Sequence, residues 1–222
     1  MKNRKAILIV LIVLILIILI FLIKNYYKNF ETGNNMSNKS IEEIEKYILS
    51  MSSYEAKISV TVQSNKNTNK YVLEQKYKSP NISKQVVLEP ENIAGIETIY
   101  DGSNLTINNS KYNLSKIYQN YSYIASNFLF LDSFVKEYKE NNNLYEENGE
   151  IVMETNVKIN ENNTATKKLY INKETAKPTK LIINHINEKQ QVYILYNEIK
   201  INNLEQKDVL AFKTIMPNAK LY

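Results

Sequence analysis

The hydrophobic period changes along the chain, and each change marks an element. Ala6 to Ile23 has no period at all: it is an unbroken run of 18 apolar residues between Lys5 and Lys24. At helical rise such a run covers about 27 Å, close to the ~30 Å hydrocarbon core of a bilayer. A helix satisfies its own backbone polar groups, so the run can span a membrane. Lys2, Arg4 and Lys5 precede it, which favours a cytoplasmic N-terminus and an extracytoplasmic remainder. Cleavage as a signal peptide needs small residues just beyond the run. Asn25, Tyr26 and Tyr27 stand there instead, so the segment reads as an uncleaved anchor.

Residues 25–39 are polar, with Gly33, Asn34 and Asn35 at their centre, and read as a linker. Ser40 with Glu43 three residues on is a capping box. Ile41, Ile44, Ile48 and Met51 then recur at spacings of three and four, which predicts an amphipathic helix. From Tyr54 the period drops to two: Tyr54, Ala56, Ile58, Val60 and Val62 alternate with polar residues. Strand-like runs follow at hairpin spacing, YVLEQKY, ISKQVVLE, IETIY, SNLTI, NLYEE, EIVMETNVKI, KKLYIN, TKLIINH and QVYILYNEIKI. Asp101-Gly102 and Asn148-Gly149 are hairpin dipeptides between such runs. The pattern predicts about nine or ten strands in an antiparallel sheet.

One segment breaks this rhythm. Tyr121 to Glu140, YSYIASNFLFLDSFVKEYKE, reads as a helix. Ile124, Phe128, Leu131 and Val135 lie on one face, and Phe130, Phe134 and Tyr138 on the adjoining one. An apolar arc this wide has to cover something, most simply the concave face of the sheet. The expected fold is therefore α+β and mainly β. Residues 1–24 form a membrane anchor, 25–39 a linker, and 40–222 one half-barrel domain with covering helices.

Charge changes this picture less than the pI of about 9.0 suggests. The first 30 residues hold five bases and no acid, leaving 23 bases against all 23 acids in the rest. The basic excess belongs to the anchor, so it gives no reason to expect nucleic-acid binding. The absence of cysteine rules out a disulfide framework, a thiol nucleophile and a lipidated N-terminal cysteine.

Candidate chemistry is sparse. His185 is the only histidine, and a zinc site normally needs three or four ligands, so no metal and no cofactor are expected. No HExxH, phosphate loop or Ser-His-Asp arrangement is present. Ile124, Phe128, Phe130, Leu131, Phe134 and Tyr138 have two readings. They are core packing of helix on sheet, or a lid over a cavity that accepts an acyl chain or a partner's side chain. A half-barrel also has free sheet edges, and edges pair with other chains. The expected edges are the strand Tyr54–Val62 and the C-terminal strand Val192–Ile201, with a homodimer through them as one outcome.

The order helix, strands, mid-chain helix, strands resembles the lipoprotein-carrier fold of LolA, LolB and RseB. The stretch YKSPNISKQVVLEPENIAGIETIYDGSNLTI is similar to that family's strand, proline break, strand and Asp-Gly hairpin. KKLYINKETAKPTKLIINHINEKQQVYILYNEIKIN is similar to its later strand, K-E-T-x-x-P turn and two further strands. Within the superfamily the chain resembles the clostridial germination protein GerS and its relatives. That resemblance implies a curved, unclosed antiparallel sheet. It also implies a non-catalytic role: binding and supporting a zinc-dependent N-acetylmuramoyl-L-alanine amidase that modifies spore-cortex peptidoglycan. The GerS-type lipid anchor departs from this chain, which has no cysteine to carry it. A carrier or sensor for lipid is the alternative that the superfamily implies.

Overall fold

The first and last strands of the domain lie side by side, which decides the topology of everything else. The computed structural model describes residues 39–121, 128–160, 163–185 and 190–210. After helix α1 (Ile41–Leu49) come β1 (Ser53–Gln63), β2 (Thr68–Lys78), β3 (Ile82–Glu89), β4 (Ile96–Tyr100), β5 (Leu105–Asn109) and β6 (Leu114–Tyr118). Helix α2 (Leu131–Tyr138) precedes β7 (Asn143–Glu147), β8 (Glu150–Asn160), β9 (Asn163–Asn172), β10 (Lys177–His185) and β11 (Gln190–Ile201), and α3 (Gln206–Leu210) follows. The strands form one 11-stranded sheet in the order β6-β5-β4-β3-β2-β1-β11-β10-β9-β8-β7, open between β6 and β7. Each half is an antiparallel meander, and the halves join through β1 and β11.

This order corrects two expectations. The segments Tyr54–Val62 and Val192–Ile201 are not edges; they pair with each other at the centre of the sheet. Both carry large inward side chains along their length, and such strands are best satisfied when neighbours lie on both sides. The true edges are β6 and β7. Among the described residues there are also more strands than expected, because LSKIY forms β6.

The sheet carries its apolar residues on the face that α1 and α2 cover. On β1 these are Tyr54, Ala56, Ile58 and Val60; on β9 Ala165, Leu169 and Ile171; on β10 Leu181 and Ile183. Along β11 the inward set runs Val192, Ile194, Tyr196 and then Ile199, Ile201. The parity slip is a bulge: Lys57 faces Glu198, while Ile58 faces Tyr196. Asn197 is left over and donates from its Nδ2 to Ser59 Oγ at 2.8 Å. One extra residue lets both ends of β11 stay buried on the same face.

Local chemistry sets the remaining elements. Ser40 Oγ accepts from the Glu43 N–H at 3.3 Å, and Glu43 Oε2 accepts from the Ser40 N–H at 3.0 Å, so the capping box forms as the sequence predicts. Ile44, Tyr47 and Ile48 then enter the core. Asn148 and Gly149 take φ of 51° and 80°, the two left-handed positions of a tight hairpin between β7 and β8. The short helix α3 lies on the outer face, where Val209 meets Ile82 and Leu204.

Among the described residues no helix is long and apolar enough to cross a membrane. The run 6–23 lies outside the described residues.

Candidate functional site

The mid-chain helix is shorter than its apolar pattern predicts. Tyr121 is not helical, residues 122–127 fall outside the described set, and α2 starts only at Leu131. Phe130 occupies the N-cap in extended conformation, φ −88° and ψ 137°, and its side chain cannot cap. The sheet supplies the missing acceptor: Tyr54 Oη takes the Leu131 N–H at 3.1 Å. That hydroxyl donates in turn to Gln75 Oε1 at 3.1 Å. Gln75 Nε2 donates to Gln85 Oε1 at 3.0 Å and to the Leu129 carbonyl at 3.3 Å. A buried polar relay from β1 through β2 to β3 thus fixes where the helix begins.

The candidate lid residues separate accordingly. Phe130, Leu131, Phe134 and Tyr138 are at most 2% exposed and belong to the main core, with Val135 beside them. Phe134 and Tyr138 stack with ring centroids 5.7 Å apart. Phe128, just before the helix, is 41% exposed. Ile124 lies outside the described residues.

Charged groups anchor α2 at both ends. At its C-terminal end Glu137 pairs with Lys167, a buried lysine on an inward position of β9. Tyr138 Oη donates to Glu45 Oε1 on α1 at 2.6 Å. Burial and then this acceptor push the Tyr138 phenol well above its ordinary range. At the N-terminal end Asp132 is buried, and burial raises its carboxyl above the usual carboxylate range despite the neighbouring lysine. Lys136 Nζ stands 3.1 Å from Asp132 Oδ2 as an ion pair. Burial, with Asp132 nearby, pushes Tyr77 up to about 12. Tyr196 is raised for the same two reasons.

These contacts hold the helix and do not assemble a reaction centre. Among the described residues no three His, Asp or Glu side chains gather as a metal site. His185 ends β10.

The sequence reading missed Tyr54, Gln75 and Lys167 as anchors of α2. A signal was present: Gln75 and Lys167 are polar residues at inward parity, between Leu73 and Tyr77 and between Ala165 and Leu169. It missed β6 because LSKIY is short and flanked by Asn113 and Asn120, both left-handed.

No curated protein sequence matches the chain. Solved structures do, over most of its length. A LolA superfamily protein from Nitrosomonas europaea is 10% identical, with a TM-score of 0.47, over 78% of this chain and 98% of that one. The GerS lipoprotein of Clostridioides difficile, solved in complex with the CwlD amidase, is 25% identical, with a TM-score of 0.40, over 74% and 92%. MucB of Pseudomonas aeruginosa, in its MucA complex, is 11% identical, with a TM-score of 0.42, over 80% of this chain and 61% of that one. The likeness to the LolA superfamily and to GerS, first carried by turns and strand order, is thus met again among solved structures. The model of the YdcC-like sporulation proteins matches residues 4–210, almost the whole chain, and the chain belongs to that family.

Proposed function

We propose that this protein is a membrane-anchored, non-catalytic binding protein of sporulation that holds and supports a peptidoglycan amidase at the membrane surface. The observation that carries the proposal is the family match over residues 4–210, which takes in both the apolar run and the sheet domain. The amidase itself comes from the resemblance to GerS, a protein solved with an amidase. In this reading residues 6–23 cross the bilayer with the N-terminus in the cytoplasm, and the domain faces outward on its linker. Confinement to one surface raises the effective concentration of both proteins. The test is a pull-down of the full chain in detergent with the zinc-dependent N-acetylmuramoyl-L-alanine amidase of the same organism. Complex formation at micromolar concentration is the expected result, and its absence discards the amidase as partner.

Lipid carriage is the second reading, and the packing weighs against it. It needs an apolar cavity beneath the mid-chain helix, whereas Phe130, Leu131, Phe134 and Tyr138 fill that space themselves. Among the described candidate lid residues, Phe128 remains outward for a ligand or partner. A homodimer through sheet edges would have to use β6 or β7, since β1 and β11 are already paired.

A further inference from the structure

The two edges of the sheet are built differently. β7 is blunted. Its Glu146 pairs with Lys173 at 2.8 Å, its Glu147 accepts from Tyr170 Oη at 3.2 Å, and α1 packs against the strand. β6 has none of these protections: all five of its residues are exposed, and among the described residues no strand lies beyond it. Leu114 is 65% exposed, Ile117 61%, Tyr118 38% and Tyr112, in the preceding turn, 61%. An edge with free backbone N–H and C=O groups and bare apolar side chains is a template for one more strand.

The segment that carries this edge has charges of one sign, and the exposed Asp101 of the β4–β5 turn lies near its Tyr118 end through Asn104. Between Asp101 and Asp132 the chain has no acidic residue, and its only charges there are Lys111 and Lys116. Lys116 Nζ lies 4.8 Å from the centroid of the Tyr118 ring, and Tyr118 lies 6.4 Å from Tyr121. Leu114, Lys116 and Tyr118 share one face of β6, while Ile117 takes the other.

We propose that the β6 edge, Leu114–Tyr118, is the docking site for the partner enzyme, which adds an extended segment bearing carboxylates among apolar side chains as a twelfth strand. The proposal rests on the partner reading above and assigns it a surface. Main-chain bonds to β6 supply pairing. Ile117 takes an apolar side chain on one face; Lys116, backed by the Tyr118 ring, takes a carboxylate on the other. A second copy is a poorer occupant. Self-pairing of β6 sets Lys116 near its own kind, and the acids of β7 are already held by Lys173 and Tyr170.

The test uses the full chain in detergent micelles with the purified amidase of the same organism, read by amide hydrogen exchange and by equilibrium affinity. The expected result is protection of amides 114–118 in the complex. Leu114→Asp with Ile117→Asp weakens binding by about tenfold or more, and Lys116→Glu weakens it chiefly at low salt. Because these side chains are exposed, the variants keep the wild-type melting temperature, which separates lost contact from lost fold. A complex that leaves 114–118 unprotected and tolerates both variants overturns the surface while keeping the partner. No complex with wild type overturns the partner reading, and this surface falls with it. Protection of 114–118 in the chain alone, at twice the monomer mass, overturns the proposal in favour of self-association.

Discussion

The two halves of the sheet have the same meander topology and opposite fates. On the half formed by β7 to β10, Ile151, Met153, Leu169, Ile171, Leu181 and Ile183 are essentially sealed beneath α2 and its neighbours. On the half formed by β4 to β6, Ile99 and Tyr100 are the last buried side chains, β5 is half-buried throughout, and β6 is bare. Register does not explain the difference: β4 to β6 pair without a slip, whereas β8 and β9 slip once between Lys158 and Asn160. The difference is what lies on them: backbone pairing makes a strand, but only burial of its side chains makes it stable.

That contrast can be broken most directly by hydrogen exchange on the free protein. Amides of β9 and β10 are expected to exchange only with global unfolding, and those of β5 and β6 by local opening, several orders of magnitude faster. Equal protection across the sheet would refute the asymmetry. Truncation gives the next largest contrast. Leu169→Ala should cost about 3 kcal/mol in thermal or denaturant unfolding, whereas Leu114→Ala should stay within about 0.5 kcal/mol.

Helix α2 is fastened to the sealed half by charge as well as by packing. Glu137→Ala leaves the Lys167 ammonium buried without its partner and should cost about 2 kcal/mol, less than a fully sealed pair because Glu137 is partly exposed. The double variant with Lys167→Met should recover much of that loss.

Asp132 supplies a pH signature. Its carboxyl is raised in the folded state, so its protonated form is favoured there, and that contribution is fully present below the ordinary carboxylate value of about 4. It is lost as pH rises through the higher folded value. Stability should therefore decline over the range just above pH ~4, and Asp132→Asn should flatten the decline. Tyr138→Phe, which removes the bond to Glu45, should cost about 1 kcal/mol, less than the Glu137 variant.

Much of the fold was legible because its signals are local. The capping box at Ser40, the Asn148-Gly149 hairpin and the period-two strands each declare themselves within a few residues. What could not be read locally was adjacency. Tyr54–Val62 pairs with Val192–Ile201 across most of the domain, and no short window of sequence contains that choice. The start of α2 was misjudged for a related reason: its cap is Tyr54, a residue 77 positions away in sequence. Of the candidate lid residues, periodicity marked Phe130, Leu131, Phe134 and Tyr138 as one apolar arc, although Phe130 stands just before the helix. It could not say whether they face a void or one another. The Leu114–Tyr118 edge was illegible because exposure depends on what does not pack there.

Pairing the opening strand with the closing one has a temporal cost. During synthesis β1 emerges early and waits, with its inward Tyr54, Ile58 and Val60 uncovered on one flank, until β11 has been made. No nascent fragment short of residue 190 can complete the centre of the domain. The chain therefore reaches its native form only after nearly all of it has been made, and its central apolar strand stays open on one flank in the interval.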